Sequence, residues 1–141
     1  MSDKLTVNIR SFSYKKGIPQ DESGNGGGFV FDCRGILNPG RIQEYKTQTG
    51  RDEAVKNYLE KETKIADFLE AAFKIVDISM EDYLARGFSN LEINFGCTGG
   101  QHRSVYSADK MAEHIQEKFP EANVVVHHVE QERKNWVNEV Y

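Results

Sequence analysis

Two kinds of hydrophobic spacing alternate along this chain. Residues 4–14 place apolar side chains at every second position and predict a first strand. Residues 29–33 form a nearly continuous apolar run, the pattern of a central strand buried on both faces. Leu91, Ile93 and Phe95 alternate again, and Val124, Val125 and Val126 predict another buried strand. Between these runs the spacing becomes helical. Asp52 and Glu53 suit a first turn ahead of Val55, Tyr58 and Leu59. Ile65, Phe68, Leu69, Ala72, Phe73 and Val76 form one apolar stripe. Ser79 with Asp82 resembles a capping box that restarts a helix, which Gly87 then stops. Val105, Ala108, Met111, Ala112 and Ile115 mark a further helix that ends near Phe119 and Pro120.

The segments between are polar. Residues 20–28 are Gly-rich and read as a flexible surface loop, and residues 35–41 are a turn punctuated by Pro39 and Gly40. Residues 42–51 are a polar connection, and residues 131–141 a polar tail. Strands alternating with helices predict a layered α/β fold with a largely parallel sheet flanked by helices. At 141 residues the chain is expected to form one domain.

One stretch joins the two spacings. Gly96-Cys97-Thr98-Gly99-Gly100-Gln101-His102-Arg103-Ser104 lies between the third strand and the helix that follows it. The first-turn amides of a helix have no intrahelical acceptor, and the macrodipole places positive charge there. Glycines let backbone amides converge on one centre, and Arg103 adds a charged planar fork. The segment is therefore a candidate anion loop, with Thr98, Gly99, Gly100, His102, Arg103 and Ser104 as ligand-binding residues. It lacks the Gly-Lys-Ser/Thr of a nucleotide P-loop. It does contain Cys97 followed six residues later by Arg103, the loop spacing of cysteine-dependent phosphatases. In that alternative reading Cys97 is the nucleophile, Arg103 holds the transferring phosphoryl group and Asp32 is the general acid.

Ligands of open parallel sheets bind beyond the carboxyl ends of the strands. Lys15 and Lys16 follow the first strand, Asp32, Cys33 and Arg34 end the second, and His127 and His128 follow the fourth. Parallel strands would gather these cations at one edge. His127 and His128 point to opposite faces, so only one of them can enter such a site.

Composition narrows the partners. A net charge of −4 argues against a protein that coats nucleic acid non-specifically, while leaving room for a local basic patch. The two cysteines lack paired metal-ligand spacing, so neither a metal nor a cofactor is expected. No signal-peptide core or membrane-length apolar run appears, and the cytoplasm with both thiols reduced is the expected setting.

Several spaced motifs, in one order, resemble the C-terminal domain of the RapZ family of bacterial RNase adaptor proteins. They are Phe12-Ser13-Tyr14-Lys15-Lys16-Gly17-Ile18-Pro19, Val30-Phe31-Asp32-Cys33-Arg34, Leu37-Asn38-Pro39, the long loop from Gly96 to Tyr106, and His127-His128-Val129-Glu130. The resemblance implies a phosphofructokinase-like α/β subdomain that self-associates and binds glucosamine-6-phosphate and a small regulatory RNA. It implies a sugar-phosphate pocket at Arg34, Asn38, Thr98, Gly99 and Arg103, and RNA contacts that include Lys15 and Lys16. The expected function is then a non-catalytic sensor of a phosphorylated sugar or similar anion, with an RNA or RNase-adaptor role. Three features depart from the family pattern. No P-loop ATPase segment is present in these residues, so ATP hydrolysis is not expected of them. Gly40 stands where the family has histidine. The 130–134 segment is charge-balanced, not basic.

Overall fold

The computed structural model describes residues 4–24 and 28–140. Gly26 and Gly27 of the expected flexible loop, and Tyr141 of the tail, lie outside the described residues. Four strands form one sheet: β1 (Thr6–Ser13), β2 (Phe29–Asp32), β3 (Asn90–Cys97) and β4 (Asn123–His128). Their order is β2-β3-β1-β4, and every neighbouring pair is parallel. The helices are α1 (Glu53–Glu62), α2 (Ile65–Ala85), α3 (Arg103–Lys118) and the short α4 (Val129–Arg133). One 3-10 turn, Pro39–Arg41, forms within the expected turn, and a second, Gln43–Tyr45, replaces part of the polar connection.

Register explains the core. Val7 pairs with Leu91, Ile9 with Ile93, and Ser11 with Phe95, so these side chains share one sheet face. The α3 stripe of Val105, Ala108, Met111, Ala112 and Ile115 is buried, and α3 packs on β1, β3 and β4. The α2 helix joins the same core, with Phe68 edge-on to Phe31 of β2. On the other face polar side chains answer one another. Asn8 donates to Asn90 Oδ1 at 2.7 Å and to Glu92 Oε2 at 2.9 Å, and Arg10 pairs with Glu92.

Two expectations need correction. The apolar run at 29–33, expected to be central, supplies the edge strand β2, with Val30 45% exposed, and the run at 124–126, expected to be buried, lies in the other edge strand with its valines only half-buried. The central positions belong to β1 and β3, whose polar residues survive there because cross-strand partners satisfy them. The helix restart at Ser79 and Asp82 is also absent. α2 runs unbroken through Ser79, because Val76 and Met80 continue its buried stripe and no Gly or Pro interrupts it. It stops as expected at Gly87, whose φ of +70° suits a helix C-terminus.

Candidate anion-binding site

All four strands end at one edge of the sheet, and the polar residues after them meet there. A cavity of about 300 Å³ opens at this edge. Lys15 and Lys16 reach it from the end of β1, Asn38 from the turn after β2, and Cys97, Thr98 and Gly99 from the loop after β3. His102 and Arg103 reach it from the start of α3.

Local chemistry sets the loop. Ser13 Oγ donates to the Thr98 carbonyl at 2.7 Å, which ties the end of β1 to the glycine turn. Gly100 has φ +63°, and a Cβ there would come within 2.9 Å of the Ser13 amide, so the turn requires glycine. Gln101 Nε2 donates to the carbonyls of Lys46 and Gln48 at 2.7 and 2.8 Å. His102 Nε2 donates to the Tyr45 carbonyl at 2.8 Å. The connection before α1 thus wraps the N-terminus of α3.

Arg103 is the central group. Its side chain is 4% exposed, and Nη1 donates to the carbonyls of Arg34 and Ile36 at 3.2 and 2.8 Å. Its Nε has no hydrogen-bond partner, and among the described residues Arg103 forms no ion pair. A buried cation with an orphaned donor is costly unless a ligand supplies the missing acceptor. Burial pushes the His102 imidazole below its ordinary range, against the opposing pull of the Tyr45 carbonyl. A neutral His102 whose Nε2–H is engaged presents Nδ1 as an acceptor, so it donates to an anion only once protonated.

The other anticipated residues are placed as follows. Arg34 is paired with Asp32, Nε to Oδ1 at 2.9 Å and Nη2 to Oδ2 at 2.7 Å. It lies 3.8 Å over the Tyr14 ring and does not line the cavity. The Arg34 hydrogen bond holds Asp32 below the usual carboxylate range, which opposes a general-acid role. Cys97 is 2% exposed, with Sγ at 3.1 Å from Ser104 Oγ. Burial, then the neighbouring Cys97, push the Cys33 thiol up. Ser104 is fully buried, and neither it nor Gly100 is on the cavity wall. His127 pairs with Glu132, while His128 is 1% exposed and lines no part of the site.

Ser13, Gln101, Glu130, Lys134, Asn138 and Glu139 also line the cavity and were not anticipated. The strand-end rule that singled out Lys15 applies equally to the residues after β4, and was the signal available for them.

Beneath the site, His128 joins three elements. Its Nδ1 meets Ser11 Oγ at 2.6 Å and its Nε2 meets Asp109 Oδ1 at 2.8 Å. Arg51 grips the same carboxylate at 2.9 and 3.1 Å. Burial alone would raise Asp109, but the bonds from His128 and Arg51 outweigh it and hold the group at about 2, against 3.8 for an ordinary aspartate. The unfolded carboxyl therefore binds protons first. Its contribution to stability is complete above pH ~4 and is lost as pH falls through about 2. After discounting for partial exposure, about 1 kcal/mol is expected to disappear in that interval. Urea unfolding of wild type and Asp109→Asn checks this: the variant curve is expected to be flatter there.

The fold and the site define a parallel α/β domain whose strand ends carry a glycine loop, a helix N-terminus and a buried arginine. The chain belongs to the RapZ C-terminal domain family, whose model matches residues 5–132. It is similar to a nucleotide-binding protein of Endomicrobium trichonymphae, 40% identical over 114 residues that cover 81% of this chain and 38% of the relative. A nucleotide-binding protein of Xanthomonas campestris pv. campestris (strain B100) is 41% identical over 136 residues, covering 93% of this chain and 44% of the relative. A relative of the same description from Thermotoga neapolitana is 36% identical over 117 residues, covering 83% of this chain and 40% of the relative. The chain thus spans about two fifths of the length of these relatives. Among the described residues no helix is long and apolar enough to cross a membrane.

Proposed function

We propose that this domain is a non-catalytic sensor of a phosphorylated small molecule, of the glucosamine-6-phosphate kind, held in the cavity between the 97–104 loop and the Lys15–Lys16 turn. One observation carries the reading: Arg103 is buried at the cavity without an ion pair among the described residues, with Nε unsatisfied. A phosphate oxygen supplies both the missing acceptor and the missing charge. The cavity, at about 300 Å³, suits a sugar phosphate. Lys15 and Lys16 stand on its wall, so a bound anion neutralises the same cations that an RNA backbone would contact. Ligand occupancy and RNA or RNase adaptor activity would then compete through these two lysines.

Backbone amide NMR titration tests the reading. Glucosamine-6-phosphate is expected to give saturable shifts at Thr98 to Ser104 and near Asn38, larger than those from inorganic phosphate. No response at millimolar ligand would sink it. A phosphatase is the second reading, favoured by Cys97 on the cavity wall ahead of Arg103. Cys97→Ser separates the two, since a sensor keeps its ligand affinity within about twofold whereas a phosphatase loses all turnover.

A further inference from the structure

The chain after α4 returns to the cavity instead of leaving the domain. The Trp136 amide donates to the Gln131 carbonyl at 2.8 Å, closing the helix end. Asn135 at φ 54° and Trp136 at φ 61° are both left-handed, a conformation that a residue as bulky as tryptophan seldom adopts. Such a turn persists only where its surroundings hold it, and here they do. The Trp136 ring stands edge-on to the buried His128 at 5.5 Å, with the Arg51 guanidinium 4.8 Å from its centre. Asn138 and Gln131 exchange two hydrogen bonds at 2.8 and 3.1 Å. Gln131 is fully buried and also donates to the Gly100 carbonyl of the glycine loop at 3.4 Å.

This fixed return carries Lys134 to the cavity wall, beyond residue 132, where the family match ends. The Lys134 ammonium lies 3.5 Å from Asn138 Oδ1 and 3.9 Å from Glu130 Oε2. Both contacts are long, and an ammonium has three donors, so neither commits it. Glu130 is already satisfied by Arg133, whose Nε and Nη2 donate to its two oxygens at 2.9 and 2.7 Å. The Arg133 hydrogen bond, helped by the charges of Lys134 and Lys16, holds the Glu130 carboxyl below its usual range despite its burial. Lys16 and Lys134 thus stand close to one carboxylate that Arg133 claims first. The Lys134 side chain is 31% exposed, so its charge is partly shielded from solvent screening. It joins Lys15, Lys16 and Arg103 around one cavity.

We propose that Lys134 is a ligand-binding residue of this cavity, its ammonium contacting the bound phosphate. This rests on the reading of the cavity as an anion site. The 134–138 segment is then part of that site, and a bound phosphate ties it to the glycine loop.

The test uses the whole chain with inorganic phosphate as probe, by isothermal titration and by hydrogen exchange at the Trp136 amide. Lys134→Ala is expected to weaken phosphate binding three- to tenfold, the effect of one partly exposed cation beside an anion. Lys134→Arg, which keeps the charge, is expected to bind within about twofold of wild type. Lys74→Ala, which removes an exposed lysine of α2 away from the cavity wall, is expected to leave affinity unchanged. Saturating phosphate is expected to slow exchange at Trp136 in wild type and to do so less in Lys134→Ala. Wild-type affinity in Lys134→Ala, while Arg103→Ala loses binding, would overturn the assignment and leave the anion site standing. Equal losses in Lys134→Ala and Lys134→Arg would also overturn it, since Lys134 would then act as a brace and not as a charge. Unchanged or faster Trp136 exchange under saturating phosphate would count the same way. If wild type does not bind phosphate, the anion site itself fails, and the role of Lys134 with it.

Discussion

Arg103→Ala is expected to weaken phosphate binding by about a hundredfold, with little change in the stability of the fold. A charge-assisted contact to an anion contributes about 1.5–3 kcal/mol, and more of the affinity depends on the cation that sets the local potential. The stability effect is small because two terms oppose. The variant loses the bonds from Nη1 to the carbonyls of Arg34 and Ile36. It also removes a buried charge that no acidic residue neutralises among the described residues, and an Nε that has no partner. Isothermal titration with phosphate, paired with thermal unfolding, measures both sides. A large drop in melting temperature without loss of affinity would mean that Arg103 braces the 34–36 turn and does not bind ligand. Arg103→Lys is expected to recover part of the affinity, since it keeps the charge and loses the fork.

Gly50→Ala is expected to cost about 3 kcal/mol of stability and to disable the site from outside it. A Cβ at this position would sit 2.3 Å from the His102 carbonyl oxygen and 2.6 Å from the Tyr106 amide nitrogen. Both are backbone atoms at the start of α3, bonded to one another at 3.0 Å, so neither can swing aside as a side-chain tip would. Relief requires the connection to separate from the helix. That separation would break the Gly50 amide bond to Gln101 and pull on the contacts that orient His102. Gly99→Ala is the matched control. It lies on the cavity wall, but nothing stands within 4 Å of its Cβ, and a stability change within ~0.5 kcal/mol is expected. Urea denaturation of the two variants beside wild type decides the matter, and equal stability would refute the clash.

The glycine loop and the stripe of α3 were legible because both are local. A helix buries positions three and four apart, and a strand positions two apart, so spacing alone marks β3 running through Gly99 and Gly100 into α3. The same holds for the stripe of α2, although its unbroken passage through Ser79 was not legible. Ser79 and Asp82 carry a plausible start signal, and only the continuity of Val76 and Met80 in the core overrules it. The strand positions were less legible still. Residues 29–33 look more like a core strand than residues 6–13 do, yet β1 is central and β2 is an edge. The polar residues that make β1 look exposed are satisfied by Asn90 and Glu92, more than 80 residues away in the chain.

The amino-acid sequence by itself determined the α/β alternation, the glycine-rich turn from Cys97 to Ser104 between β3 and α3, the cations after the first and second strands, and the family to which the chain belongs. These follow from neighbouring residues and from the order of motifs. Only the tertiary structure decided that Arg103 is buried with Nε unsatisfied, that Arg34 is occupied by Asp32, and that the segment carrying Trp136 and Glu139 returns to the cavity. Each depends on which distant groups fill the space around a side chain. Burial and hydrogen-bond satisfaction are properties of that packed environment, so one local pattern serves equally for a solvated arginine and for one buried with an unsatisfied Nε.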